Sequence, residues 1–308
     1  MKEKKNNKKQ NKGSIWPFIL LLVAGLALIG YPLSGQVYNF YLSRKKVQSF
    51  QKAASKLPTA EVKKRLKLAH AYNESLLSPS QKAAIVDPFS SKEEAAGRAA
   101  YAKMLEVKEN IAYLDIPKLH QELPVYAGTS EEVLQKGIGH LQGSSLPVGG
   151  KSTRTVLTGH RGLPNSRLFT DLPRMKKGDV FYIHNLGQVL AYKVYKIEVI
   201  KPSQIEKLKI EKGKDLATLL TCTPYMINTH RLLVTGYRIP YHAKDEKKAQ
   251  DDSRKQLYLI IGAIVLLILL LILFIWWRKK KKKEKAKQEL DKGKEQEALG
   301  DGHEQEDE

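Results

Sequence analysis

Three residue types with complementary chemistry occur at three separated places: Cys222, His160 and Arg231. Cys222 is the only cysteine in the chain, so no intrachain disulfide forms. It closes the run Thr218-Leu219-Leu220-Thr221-Cys222, which stops at Pro224. Residues 216–221 are apolar and β-prone and read as a buried strand. Pro224 cannot donate to a ladder, so the strand ends near it and Cys222 sits at a sheet rim. A short loop then leads to a second apolar run, 232–237, with Arg231 just before it. If the two strands pair antiparallel, Cys222 and Arg231 face each other. A thiol beside a fixed guanidinium has a reason to ionise. His160 follows the strand-like Thr155-Val156-Leu157-Thr158 and lies between Gly159 and Gly162, which leave its ring uncrowded. A thiolate, a proton carrier and an oxyanion donor are the parts of nucleophilic acyl transfer. For each residue alone, the plain alternative is structural: a buried cysteine, a hydrogen-bonded histidine, a surface arginine. His140 is a second candidate histidine, and His230 would point away from the face that carries Arg231.

The elements that must position these groups are mainly strands. Period-two patterns at 111–116, 123–126, 155–158, 179–183 and 190–197, with the cysteine strand and its partner, make seven or eight strands. That is enough for a closed all-β barrel. A hairpin turn is expected at 185–187. Thr129-Ser130-Glu131-Glu132 has the form of a capping box opening a short helix that ends at Gly137. Upstream, 34–77 carries apolar residues at helical spacing, broken at Pro58-Thr59. Ile85-Val86-Asp87-Pro88-Phe89 is an apolar patch with one carboxylate inside a loop, and an apolar loop must cover something.

Charge and hydropathy place the molecule. The formal net charge is +21. Residues 1–14 hold six lysines against one glutamate, and Arg278 to Lys283 are six basic residues in a row. Each basic block flanks an apolar run, at 15–33 and 257–277. The second run is 21 residues without a charge and ends in Trp276-Trp277. Both lengths suit a membrane span, and the basic flanks put both termini in the cytoplasm and the middle of the chain outside. A cleaved signal peptide is the rival reading of the first run, and it exports the middle just as well. The exported region is itself basic. It lacks the aromatic pattern and zinc-ligand spacing of nucleic-acid binders, so an anionic wall polymer suits it better than nucleic acid.

At this point the motifs resemble a known family. Thr218-Leu219-Leu220-Thr221-Cys222, with Thr158-Gly159-His160 upstream and Arg231 downstream, resembles the sortases, the cysteine transpeptidases of Gram-positive bacteria. The likeness covers most of 111–239, and Gly143-Ser144-Ser145-Leu146-Pro147 shares in it. Asp87-Pro88-Phe89 resembles the lid of the class C, pilus-building sortases, and the second span fits that class too. The resemblance implies a mainly β fold, an eight-stranded sortase-like barrel with flanking short helices, an N-terminal helical extension and two transmembrane helices. It implies Cys222 as nucleophile, His160 as proton donor and acceptor, and Arg231 as stabiliser of oxyanion and substrate. Thr218, Leu219, Thr221, Thr158 and Gly159 would support them, with Asp87, Pro88 and Phe89 forming the lid and Phe89 stacked on His160. No cofactor and no metal is expected.

The expected organisation is a cytoplasmic basic tail (1–14), a transmembrane helix or signal anchor (15–33) and an extracytoplasmic helical region (34–77). A lid loop (78–97) and the catalytic barrel (98–242) follow, then a juxtamembrane linker (243–256). A transmembrane helix (257–277) and a disordered, charged cytoplasmic tail (278–308) complete it. The implied substrates are pilins bearing LPXTG-like signals, cut between Thr and Gly, with a pilin lysine amine as acceptor. Two alternatives stand beside this. One is a wall-anchoring enzyme using a peptidoglycan cross-bridge amine; the other is a non-catalytic surface-binding module.

Overall fold

A computed structural model describes residues 16–78, 89 and 101–300. The chain divides into two compact units, Met1–Gln250 and Asp251–Glu308.

The first unit opens with two helices, α1 (Trp16–Ala54) and α2 (Thr59–Ser75). The break falls at Pro58, as expected, with the proline as the residue before the first turn of α2. Proline lacks the N–H that an interior helical position needs, but tolerates a helix start. Val47, Phe50 and Ala69 from these helices are buried and join the main core. A short helix, α3 (Ala102–Leu105), leads into the barrel.

Eight strands close the barrel. They are β1 (Asn110–Ile116), β2 (Gln121–Ala127), β3 (Ile138–His140), β4 (Thr153–Thr158), β5 (Val180–His184), β6 (Val189–Ile200), β7 (Asp215–Thr223) and β8 (His230–Ile239). The spatial order is β1-β2-β3-β4-β7-β8-β6-β5, returning to β1. Two pairings are parallel, β2 with β3 and β4 with β7. Alternate residues of the strands, such as Ala112 and Leu114, Ala217 and Leu219, and Leu232 and Val234, join the main core. The hairpin at 185–187 is present: the Asn185 amide donates to the Gln188 carbonyl at 3.0 Å, and Gly187 takes φ +79°.

Three expectations are corrected. Helix α4 (Glu131–Lys136) starts after Ser130, and no side chain caps it. The residue three beyond Ser130 is Val133, so the acid a capping box needs is out of register. Glu131 instead accepts a hydrogen bond from Gln135 Nε2. The second correction concerns 243–256 and the charged tail. Residues 243–256 and 278–300 belong to one helix, α5 (Ala243–Gly300), rather than a linker and a disordered segment; 301–308 lie outside the described residues. Lys, Glu, Ala, Gln and Leu are strong helix formers, and a helix already nucleated upstream extends through them at little cost. The third concerns β3, a three-residue strand that no period-two run announces.

In the second unit, Ile261–Lys281 is long and apolar enough to cross a membrane, and it is the one such stretch among the described residues. The first apolar run, 15–33, falls at the start of α1 and partly outside the described residues.

Candidate active site

Cys222 is the next-to-last residue of β7 and pairs directly with Arg231, the second residue of β8. Opposed residues of an antiparallel pair project to the same face. Both are 5% exposed. Arg231 Nη1 donates to the carbonyls of Asn228 at 2.9 Å and His230 at 3.2 Å, which turn the guanidinium at the rim. His230 pairs with Thr223 and bonds Thr229 Oγ1 through Nδ1 at 3.0 Å.

His160 reaches the same rim through the parallel pairing of β4 with β7. Thr158 lies beside Leu220, and the Gly159 amide donates to the Leu220 carbonyl at 3.1 Å. Thr221 Oγ1 donates to the Gly159 carbonyl at 2.7 Å. The residue before Cys222 and the residue before His160 are thereby tied together. Gly159 is needed for proximity: a Cβ there would stand 2.6 Å from Ile138 Cδ1 and 2.9 Å from Phe169. The Phe169 amide donates to the His160 carbonyl at 3.1 Å and fixes the loop from the other side.

Phe89 connects the remaining pieces. Its ring lies 5.5 Å from the His160 ring at 49°, and the Arg231 guanidinium stands 5.2 Å from its centroid. The ring also packs against a second apolar cluster that includes Val156, Ile200, Leu208, Leu220 and Leu233. Phe89 thus touches the His160 ring, but the two rings are tilted and not stacked as expected. Asp87 and Pro88 lie outside the described residues.

The supporting motif acts through packing and hydrogen bonds. Leu219 fills the core, and Thr218 Oγ1 bonds Thr235 Oγ1 at 3.1 Å and accepts from Arg154 Nη1 at 3.3 Å. Thr158 is fully buried, and its hydroxyl has no hydrogen-bond partner among the described residues. Arg154 also donates to the Lys207 carbonyl at 3.0 Å and pairs with Glu211, so it pins the 201–214 segment to the barrel wall.

His140 is not part of this rim. It is fully buried; Nε2 meets the Ser145 carbonyl at 2.9 Å and Ser144 Oγ at 3.2 Å, while Nδ1 meets Tyr101 Oη at 3.2 Å. Burial pushes its imidazole down to about 4, so it is neutral. It organises the 143–147 loop, whose Leu146 amide also donates to Asn73 Oδ1 at 2.7 Å.

Sequence reasoning missed two residues here. Arg161 Nη1 donates to Thr223 Oγ1 at 3.0 Å, and its guanidinium stands 5.7 Å from the Tyr225 ring, joining the loop after His160 to the strand end after Cys222. Adjacency to His160 was its one available signal. Glu131 Oε1 lies 3.4 Å from His160 Nε2, a contact across 29 positions that no spacing rule reveals. Away from the rim, Asp115, His184 and Glu246 form a buried cluster whose ligand atoms lie within 4.8 Å of one another. Their hydrogen-bonding capacity is taken up by protein groups: Gln250 Nε2 donates to Asp115, Tyr241 Oη donates to Glu246, and His184 Nε2 meets Glu246, each at 2.7 Å. The cluster reads as structural.

A closed barrel that gathers a lone cysteine, a histidine and an arginine at one rim has the layout of a cysteine acyltransferase. Residues 114–239 match the model of the sortase domain. Sortase A of Bacillus anthracis is 31% identical over 140 residues, an alignment covering 46% of this chain and 65% of that protein. A sortase C from Streptococcus pneumoniae, whose crystal structure bears on catalysis and pilin substrate specificity, superposes with TM-score 0.59 at 51% identity; 65% of this chain and 98% of that one are covered. A pilus-related sortase C of Group B Streptococcus gives TM-score 0.59 at 50% identity, with 63% and 97% covered. The chain belongs to the sortase family of cysteine transpeptidases, in its class C branch.

Proposed function

We propose that this chain polymerises pilins at the outer face of the membrane. Cys222 attacks the Thr carbonyl of an LPXTG-like signal, and the Thr–Gly bond breaks as His160 protonates the leaving glycine amine. Arg231 holds the substrate and the developing oxyanion with its planar fork. A lysine amine of the next pilin then attacks the thioester; His160 takes its proton, Cys222 leaves as the thiolate, and an isopeptide bond results, restoring the starting pair. The Phe89 ring lying against both His160 and Arg231 is the observation that carries this reading. An aromatic plug over the two partners of the nucleophile suits an enzyme that stays closed until a substrate arrives. The class C relatives at 50–51% identity support the pilus assignment. Membrane anchoring rests on Ile261–Lys281 and its basic flank. With the 15–33 run as a second span, both termini are cytoplasmic and the barrel is extracytoplasmic. Residues 78–97 act as the lid, and the Asp87 carboxylate competes with substrate for Arg231.

The test is to incubate the detergent-solubilised full chain with an LPXTG-type peptide and look for a mass adduct on Cys222. Adding a lysine-bearing pilin or a peptidoglycan cross-bridge peptide then separates pilus polymerisation from wall anchoring. No adduct, even with Phe89→Ala, would return the chain to the class of surface-binding modules.

A further inference from the structure

We propose that Glu131 is a positioning residue for His160, resting on the role of His160 given above. Its carboxylate accepts from Nε2 and leaves Nδ1 as the nitrogen that exchanges protons with the amines. His160 Nε2 is buried and has no hydrogen bond among the described residues. Glu131 Oε1 stands 3.4 Å away, near but not aligned for a hydrogen bond. In resting enzymes catalytic hydrogen bonds are often loose and tighten when substrate binds.

The way α4 is built explains why Glu131 is available. Its first turn carries two acids, Glu131 and Glu132, and the N-cap Ser130 makes no side-chain cap hydrogen bond. Gln135, one turn on, holds the Glu131 carboxylate from its own helix. The helix is anchored beneath by the buried Leu134 and ends at Gly137, where a Cβ would stand 2.8 Å from the Tyr126 ring. β3 then pairs with β4, Gly139 beside Thr158, two residues from His160. Glu131 and His160 are thus set by adjoining strands of one barrel. Phe89 makes a tilted contact with the His160 ring, and Glu131 lies 3.4 Å from its Nε2. An imidazole oriented at one nitrogen by a carboxylate and working at the other is the arrangement general acid–base catalysis uses elsewhere. Glu131 is 69% exposed, so the effect is modest.

The experiment compares wild type with Glu131→Gln, Glu131→Ala and Glu131→Asp in the full chain in detergent. The readouts are kcat and KM with an LPXTG-type peptide and an amine acceptor, and the ¹⁵N spectrum of the His160 imidazole. The expected result is a drop in kcat of about two- to five-fold for Gln and Ala with KM unchanged. Glu131→Asp should partly restore the rate, and the Nε2 resonance should move in the Gln and Ala variants. An unchanged imidazole spectrum overturns the proposal whatever the rates do, and so does an unchanged kcat in an active enzyme. If wild type forms no acyl-enzyme at all, the reading of function fails instead, and the imidazole spectrum alone judges Glu131.

Discussion

The Thr221 hydroxyl donates to the Gly159 carbonyl at 2.7 Å, so the positions just before the nucleophile and just before the histidine share one hydrogen bond. Thr221 is fully buried, and a valine of the same shape would leave that carbonyl short of its side-chain donor. Thr221→Val should cost about 1–2 kcal/mol. In a protein of this size that lowers Tm by roughly 3–6 °C. Turnover should fall as well, because the spacing of His160 from Cys222 is set through this bond. Thermal melts and peptide cleavage assays read the two effects separately.

Removing the plug should unmask the thiol. Phe89→Ala takes away the ring that contacts His160 and Arg231, and Asp87→Ala removes the neighbouring carboxylate. Cys222 should then react faster with a thiol reagent, measured by mass spectrometry over time. Equal rates in wild type and both variants would end the idea that 78–97 closes the site.

At Arg231 the expected sensitivity is to geometry as well as charge. Arg231→Lys keeps a cation but loses the fork. Its kcat should fall by roughly 100- to 1,000-fold, the usual effect of losing an oxyanion donor. Circular dichroism should show the barrel unchanged.

Two buried groups give opposite pH dependences of stability. Burial beside Glu246 and Glu122 raises the Asp115 carboxyl to about 8, while Gln250 pulls it the other way; His184, Tyr113 and Tyr182 complete its surroundings. Between about pH 4 and 8 the folded protein keeps a proton that the unfolded chain has lost, so this group makes stability fall as pH rises through that window. Asp115→Asn, which cannot ionise, should flatten that slope. His140 acts in reverse. Its folded value near 4 lies below the unfolded one, so stability is present above about 6.5 and is lost as pH falls towards 4. Glu246, held low chiefly by the hydrogen bond from His184 against the cost of burial, adds to the acid limb. Denaturant melts at a series of pH values in wild type, Asp115→Asn and His140→Gln would resolve the two limbs.

Much of this was legible in the sequence because the signals were local. The apolar run ending at Pro224 and the run after Arg231 are close in the chain, and their antiparallel register put Cys222 opposite Arg231 as expected. The parallel neighbours were not legible. β4 and β7 are about 60 residues apart, and period-two patterning does not say which strands adjoin. His140 carried the same local hints as His160, small neighbours and a strand end, and only burial tells them apart. Glu131 drew no notice because the capping box was read from Thr129 to Glu132, one residue ahead of the N-cap at Ser130. The tail read as disordered because its composition is polar, yet the same residues extend an existing helix.

Closure of the β-barrel has an outcome for how partners can be read. All eight strands have a neighbour on both sides, although β6 pairs with β5 only over Val189–Lys193 and its last residues, 196–200, pair with β8 alone. Apart from that short stretch, the barrel offers an extended peptide little edge to join as a further strand. Selectivity must then be written in side chains and rim loops such as 223–229, where Tyr225, Met226 and Ile227 stand half or more exposed. Those loops can diversify from one relative to another without disturbing the scaffold that aligns the reacting groups.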